Sequence, residues 1–172
     1  ASYLLRLLMK ISFFYPDIMI KLTEDVNKDQ LLLKPKLIKI LPNGIEDHFL
    51  INSFKRKKRI LKSTFKILYV GAIYEERGIP DILNVAKELK KQKINDIEFI
   101  FVGEFVNKLY ENIVNDFIKL NFLTNFFSFK GELIGLEKWK IYNSSDLLIF
   151  PSVVPSETFG LVIVEAMQFF KP

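Results

Sequence analysis

At 172 residues, with 49% hydrophobic and 26% charged side chains, the chain is long enough to bury a sizeable core and too apolar to be disordered. It has no cysteine, which excludes disulfides, thiolate metal sites and a cysteine nucleophile and is compatible with a reducing cytoplasm. A formal charge of +5 suits anionic partners such as a nucleotide diphosphate, an acidic membrane surface or nucleic acid, and no uncharged apolar run reaches membrane-spanning length.

The opening stretch from Tyr3 to Met9 is apolar, but Arg6 interrupts it and Lys10 follows it. It lacks the small-residue exit of a signal peptide. Residues 3–14 carry apolar and basic side chains at helical spacing, and Asp17 to Thr23 predicts a short strand. Thr23-Glu24-Asp25 has the polar cap and early acids of a helix start. Leu37 to Leu41 predicts a second strand, which runs into the breaker cluster Pro42-Asn43-Gly44. A domain boundary is expected there, with residues 1–42 before it. The chain starts on Ala1 and stops at Lys171-Pro172, where an α/β pattern would enter its next strand, so a piece truncated at both ends is expected.

Residues 43–65 read as a linker. They hold the basic run Lys55-Arg-Lys-Lys-Arg59, extended by Lys62 and then Lys66. Such a run is either an anion-binding patch or a solvated connection. An RNA clamp would interleave aromatic residues with the charges, whereas Phe54 and Phe65 only flank the run. The linker reading is preferred, and no nucleic-acid partner is expected. The single histidine, His48, sits beside Asp47 and reads as a turn residue rather than a ligand, so no metal is expected. No Ser-His-Asp or Cys-His set can be assembled.

From Lys66 onward strands and helices alternate. Ile67 to Val70 predicts a strand, and Ile79 to Gln92 a helix with Ile79, Ile82, Leu83, Ala86 and Leu89 on one face. Ile97 to Val102 predicts a strand, Phe105 to Leu120 a helix, Phe126 to Phe129 a strand and Leu136 to Tyr142 a short helix. Leu147 to Phe150 predicts the last strand, before a helix that opens near Phe159-Gly160. This rhythm implies an α/β domain over residues 66–172, built from right-handed βαβ units around a parallel, Rossmann-like sheet. Most of the 17 phenylalanines are expected in its core. Ligands of such sheets bind beyond the carboxyl ends of the strands. The segments to inspect are therefore Gly71 to Gly78, Gly103-Glu104, Gly131 to Leu133 and Pro151 to Gly160.

The last of these segments carries the most chemistry. Strand, irregular turn and helix together aim a helix N-terminus at a ligand, and its N–H groups and dipole favour phosphate. Glu157 precedes the helix, and Glu165 lies about two turns inside it, roughly 12 Å further along. A pyrophosphate at the helix start would have one carboxylate near each of its two substituents.

The string Pro151-Ser152, Glu157-x-Phe159-Gly160, Glu165-Ala166-Met167 resembles the signature of the retaining glycosyltransferases of family 4, which have the GT-B fold of two facing Rossmann-like domains. Further upstream, Ile40 to Glu46 resembles that family's crossing from the acceptor domain into the nucleotide-sugar domain. The family's V-G-R…K-G pattern falls on Val70-Gly71-Ala72 and Arg77-Gly78, with Ala72 where the family has Arg and Arg77 where it has Lys. Phe129 to Leu133 resembles its base-facing turn.

The resemblance implies transfer of a hexose from a UDP- or GDP-sugar to a glycan or lipid-linked acceptor, in glycan, lipopolysaccharide or glycolipid biosynthesis. It implies no cofactor and no metal, a cytoplasmic location and peripheral contact with an anionic membrane surface. Glu157 would orient the sugar as the catalytic residue. Gly71, Arg77, Phe159, Gly160, Leu161 and Val162 would meet sugar and diphosphate, Leu133 and Lys138 the base, and Glu165 the ribose diol. The piece alone is expected to be inactive. A non-catalytic nucleotide-sugar-binding module, left open by Ala72, and a GT-B phosphorylase or synthase are the alternatives.

Overall fold

The computed structural model describes residues 17–22, 36–45, 64–154 and 160–172. The chain divides into two compact units, Ala1–Gly44 and Ile45–Pro172. In the first, β1 (Ile18–Lys21) pairs in parallel with β2 (Leu37–Ile40), Ile18 opposite Leu37. An exposed ion pair of 2.6 Å joins Lys36 to Asp17 at the start of this ladder.

The second unit is a four-stranded parallel sheet in the order β5-β4-β3-β6. Its elements are β3 (Phe65–Val70), α1 (Ile79–Lys91), β4 (Ile97–Val102), α2 (Lys108–Leu120), β5 (Phe127–Phe129), α3 (Gly135–Ser144), β6 (Leu147–Leu148) and α4 (Leu161–Gln168). The two central strands are apolar on both faces, as burial under helices on each side requires. Ile67, Tyr69, Phe99 and Phe101 enter one core with Ile79, Ile82, Leu83 and Ala86 of α1 and Val114 and Ile118 of α2. Leu68, Ile100 and Val102 enter the other with Trp139 and Tyr142 of α3, Ala166 of α4 and Phe169. Each fully buried large apolar side chain contributes roughly 1.5–3 kcal/mol. Phenylalanines stack along the first face, Phe99 on Phe127 at 5.3 Å and Phe101 against Phe129 at 5.1 Å. Phe122 and Phe170 depart from the expected core placement and are exposed, each just past a helix end at φ 54°.

The order of the strands fixes where a ligand fits. From β3 the chain steps outward to β4 and β5, then returns by α3 to β6 on the other side of β3. The helix after β3 packs on the first core and the helix after β6 on the second. The loops leaving β3 and β6 therefore diverge around a switch point, the usual crevice for ligands in open α/β sheets.

Several boundaries differ from those expected. Helix α2 begins at Lys108 rather than Phe105, because the Asn107 side chain caps it by accepting the Tyr110 N–H at 2.8 Å. Phe105 instead bridges to Ile73. The residue closing the expected linker, Phe65, is the first residue of β3, as is Lys66 its second. The expected strand at Phe126 starts one residue later, after a 3-10 turn at Thr124–Phe126, and β6 is shorter than expected. The expected helices at residues 3–14 and after Thr23, the basic run, and His48 lie outside the described residues. Among the described residues no helix is long and apolar enough to cross a membrane.

Close approach of the strand ends depends on glycine. Gly71 and Gly103 have φ of +143° and +139°, and a Cβ on Gly103 would lie 2.1 Å from the Gly71 carbonyl oxygen. The Gly71 N–H reaches Val102 O at 2.9 Å, and the Gly103 N–H reaches Gly131 O at 2.8 Å. Substituting Gly103→Ala should therefore lower the stability of this unit by more than about 2 kcal/mol in urea titration. A loss below about 0.5 kcal/mol would show that the loops can part without cost.

Candidate functional site

A cleft of about 390 Å³ opens beyond the carboxyl ends of β3, β4 and β5. This is within the size range of small-molecule sites. Val70 and Val102, the last residues of their strands, line it together with Leu133 and Ile134. Gly71, Ala72 and Gly103 bring backbone to its wall, and Glu104, Glu132 and Lys138 bring charge. Glu104 is fixed in place, its Oε1 accepting the Glu132 N–H at 3.2 Å. Of the expected site residues, Gly71, Leu133 and Lys138 line this cleft directly.

Glu165 is joined to the cleft through Lys138. The Lys138 ammonium lies 2.7 Å from Glu165 Oε1, and the Tyr142 hydroxyl donates to Oε2, also at 2.7 Å. These groups are largely enclosed, with 20% of the Lys138 side chain and 12% of the Glu165 side chain exposed. An ion pair this enclosed loses most of its Coulombic gain to desolvation, so its main effect is to fix geometry. Lys138, which lines the cleft, also sits over the Trp139 ring at 4.5 Å and pairs with Glu165. Tyr142 is fully buried. Burial, and then the hydrogen bond to Glu165, push its phenol far above the usual value near 10.

The other expected residues gather on the switch-point side. Arg77 ends a 3-10 turn, Glu75–Arg77, and its Nε donates to the Tyr74 hydroxyl at 3.1 Å while the guanidinium lies 5.6 Å from the Tyr74 ring centre. This turn is tied to the segment after β6, since the Val153 N–H donates to Glu76 O at 3.0 Å. Gly78, at φ +73°, packs so closely on Pro151 that a Cβ would meet its carbonyl oxygen at 2.3 Å. The loops after β3 and β6 are thus held side by side. Gly160 leads into α4, whose first turn contains Leu161 and Val162. Glu157 and Phe159 lie outside the described residues. Ala72 offers only its carbonyl, which accepts the Tyr69 hydroxyl at 2.8 Å. Among the described residues no group of three His, Cys, Asp or Glu could hold a metal ion.

Sequence reasoning flagged the segments that hold Glu104 and Glu132 but did not single out Tyr142 or Ile134. A signal for Tyr142 existed: it stands four residues after Lys138, on the same face of a helix. Tyr110 is a second perturbed phenol, pushed up to about 12 by burial and then by the charges of Glu75 and Glu76.

The sequence profile of the glycosyl transferases group 1 family matches residues 51–172. No curated protein matches the sequence. Among solved structures, the fold is similar to Alr3699/HepE of Anabaena in complex with UDP-glucose, with a TM-score of 0.71 at 18% identity, over 98% of this chain and 47% of that one. It is similar to the pneumococcal O-GlcNAc transferase GtfA in complex with UDP and GlcNAc, with a TM-score of 0.66 at 18% identity, over 91% of this chain and 29% of that one. The C-terminal domain of the group 1 glycosyl transferase LpcC of Francisella tularensis matches 62% of the chain with a TM-score of 0.53 at 23% identity, over 54% of its own length. The chain therefore spans about half or less of each of these structures.

A phenol whose pKa is higher in the folded than in the unfolded state contributes stability that is complete below pH 10 and is lost as pH rises through the folded value. Urea stability should accordingly hold up to about pH 10 and fall above it, and Tyr142→Phe should reduce that fall. An unchanged alkaline slope in the variant would contradict the assignment of the raised pKa to Tyr142.

Proposed function

The chain belongs to the glycosyl transferases group 1 family, and we propose that residues 66–172 are the nucleotide-sugar half of a retaining hexosyltransferase, with residues 1–42 from its acceptor half. The donor would be a UDP- or GDP-sugar, the acceptor a hydroxyl of a glycan or lipid-linked glycan. The observation that supports this best is Glu165, held at the edge of the cleft by Lys138, one of the residues lining it. A carboxylate in that position suits a ribose diol, and the cleft beyond the strand ends suits the attached base.

The diphosphate would lie at the start of α4. The first turn of a helix leaves backbone N–H groups without intrahelical partners, and Leu161 and Val162 supply two of them. Arg77 adds a guanidinium on the loop packed beside the same segment. Charge develops on the leaving diphosphate as the glycosidic bond breaks, so these donors would act most strongly in the transition state. The departing phosphate would accept the acceptor's proton on the same face, which yields retention. Glu157 would orient the sugar hydroxyls. The Arg77 guanidinium and the helix dipole would offset part of the diphosphate charge.

Ala72 in place of the family's Arg favours a second reading, a module that binds the nucleotide sugar without transferring it. Incubation of the full-length protein with UDP- and GDP-sugars separates the two, since transfer or hydrolysis releases nucleotide and binding alone does not.

Calorimetry tests the division of roles. Glu165→Ala should weaken UDP or GDP about tenfold or more, equivalent to at least about 1.4 kcal/mol. Glu157→Ala should leave the free diphosphate almost unchanged and weaken the intact nucleotide sugar. Equal losses for both ligands in both variants would refute the assignment.

A further inference from the structure

Two hydrogen bonds of equal length hold Glu165, one on each oxygen: Lys138 Nζ at 2.7 Å from Oε1 and Tyr142 OH at 2.7 Å from Oε2. We propose that Tyr142 is a positioning residue for the ribose of the donor, setting the orientation in which Glu165 receives the diol. The proposal rests on the ribose-holding role given to Glu165 above.

The acceptor count supports it. A carboxylate has about four lone-pair sites, two on each oxygen. Lys138 and Tyr142 take one each, on different oxygens. One site per oxygen remains, which is the number that the two O–H groups of a vicinal diol require for bidentate capture. Had both partners bound the same oxygen, the remaining sites would be uneven and the diol would be gripped at one end only.

The two partners differ in what they contribute. Lys138 brings charge on a long stem with several rotatable bonds, whose rotamer freedom must be lost to fix it. Tyr142 brings direction. It is 0% exposed, and its ring is held 5.8 Å from the Trp139 ring and 5.6 Å from the Phe169 ring, so its hydroxyl has a single position in the second core. The same hydroxyl is 3.4 Å from the Val162 carbonyl in the first turn of α4. Tyr142 thus references Glu165 both to the core and to the helix that carries it. A site that leaves polar groups unpaired when a ligand hydroxyl is missing discriminates strongly against that ligand. The arrangement therefore selects ribonucleotide donors over nucleotides lacking the diol.

The test uses the 172-residue chain, Tyr142→Phe, UDP and GDP, and the 2′,3′-dideoxy analogue of whichever binds more tightly. The phenyl ring keeps the aromatic contacts, and a melting curve checks that the variant is folded. Wild type should prefer the ribonucleotide by at least about tenfold, and the variant should lose about tenfold on the ribonucleotide while the dideoxy analogue is bound as before. Equal losses on both ligands would mean that Tyr142 only supports the fold, and would overturn the proposal while leaving Glu165 its role. Equal wild-type affinity for both ligands would overturn the ribose role of Glu165 and this proposal with it. No binding of UDP or GDP by the wild type would overturn the donor-site reading itself.

Discussion

The carboxylate of Glu165, shared between Lys138 and Tyr142, is the interaction on which the site depends. It joins α3 to α4 across the second face of the sheet, where the aromatic rings of Trp139, Tyr142 and Phe169 already hold the two helices together. In stability terms such a pair is worth little, because the cost of taking both charges out of water offsets most of their attraction. Its effect is positional. A flexible acidic side chain on a short helix is given one place, at the edge of a cleft and a fixed distance along the helix from its first turn.

That fixed distance matters because of where the sheet puts the helix. The reversal from β5 back to β6 sends the helices after β3 and β6 to opposite faces of the sheet, while the contacts of Gly78 with Pro151 and of Val153 with Glu76 keep the two loops adjacent. Glycine at position 103 lets the neighbouring strand ends close to a spacing that a Cβ there would prevent, and Gly71 supplies a backbone conformation, φ +143°, that side chains rarely adopt. Sheet order, glycine placement and the aromatic core thus converge on one end of the domain. The apolar lining of Val70, Val102 and Leu133, with the exposed Ile134, lies in the same cleft as Lys138, and Arg77 stands on the loop beside the α4 approach.

The fold was largely legible because the βα rhythm here is strongly marked. The run Ile97 to Val102 is apolar at every position but Glu98 and stops at Gly103, and the structure makes it a strand of those same bounds. Apolar spacing alone misled at α2, where Phe105 fits the helical period but the Asn107 cap sets the start three residues later. In the site, Gly71 and Leu133 were legible as cleft residues because they follow strands, and Lys138 only through the family resemblance. The partner of Lys138 was not, since its bond to Glu165 spans 27 residues and is set by how two helices cross the sheet. Tyr142 shares a helix face with Lys138 in the sequence, but only the fold reveals that its hydroxyl is committed to Glu165.

The central claim is that one end of this sheet holds a nucleoside diphosphate between the α4 tip and the Glu165 carboxylate. A crystal structure of the chain with UDP or GDP bound tests it most directly. The account predicts phosphate oxygens about 3 Å from the Leu161 and Val162 nitrogens and both ribose hydroxyls on Glu165, with the Lys138 and Tyr142 bonds retained. A nucleotide bound elsewhere, or one bound here with Glu165 swung away from the ribose, would contradict it.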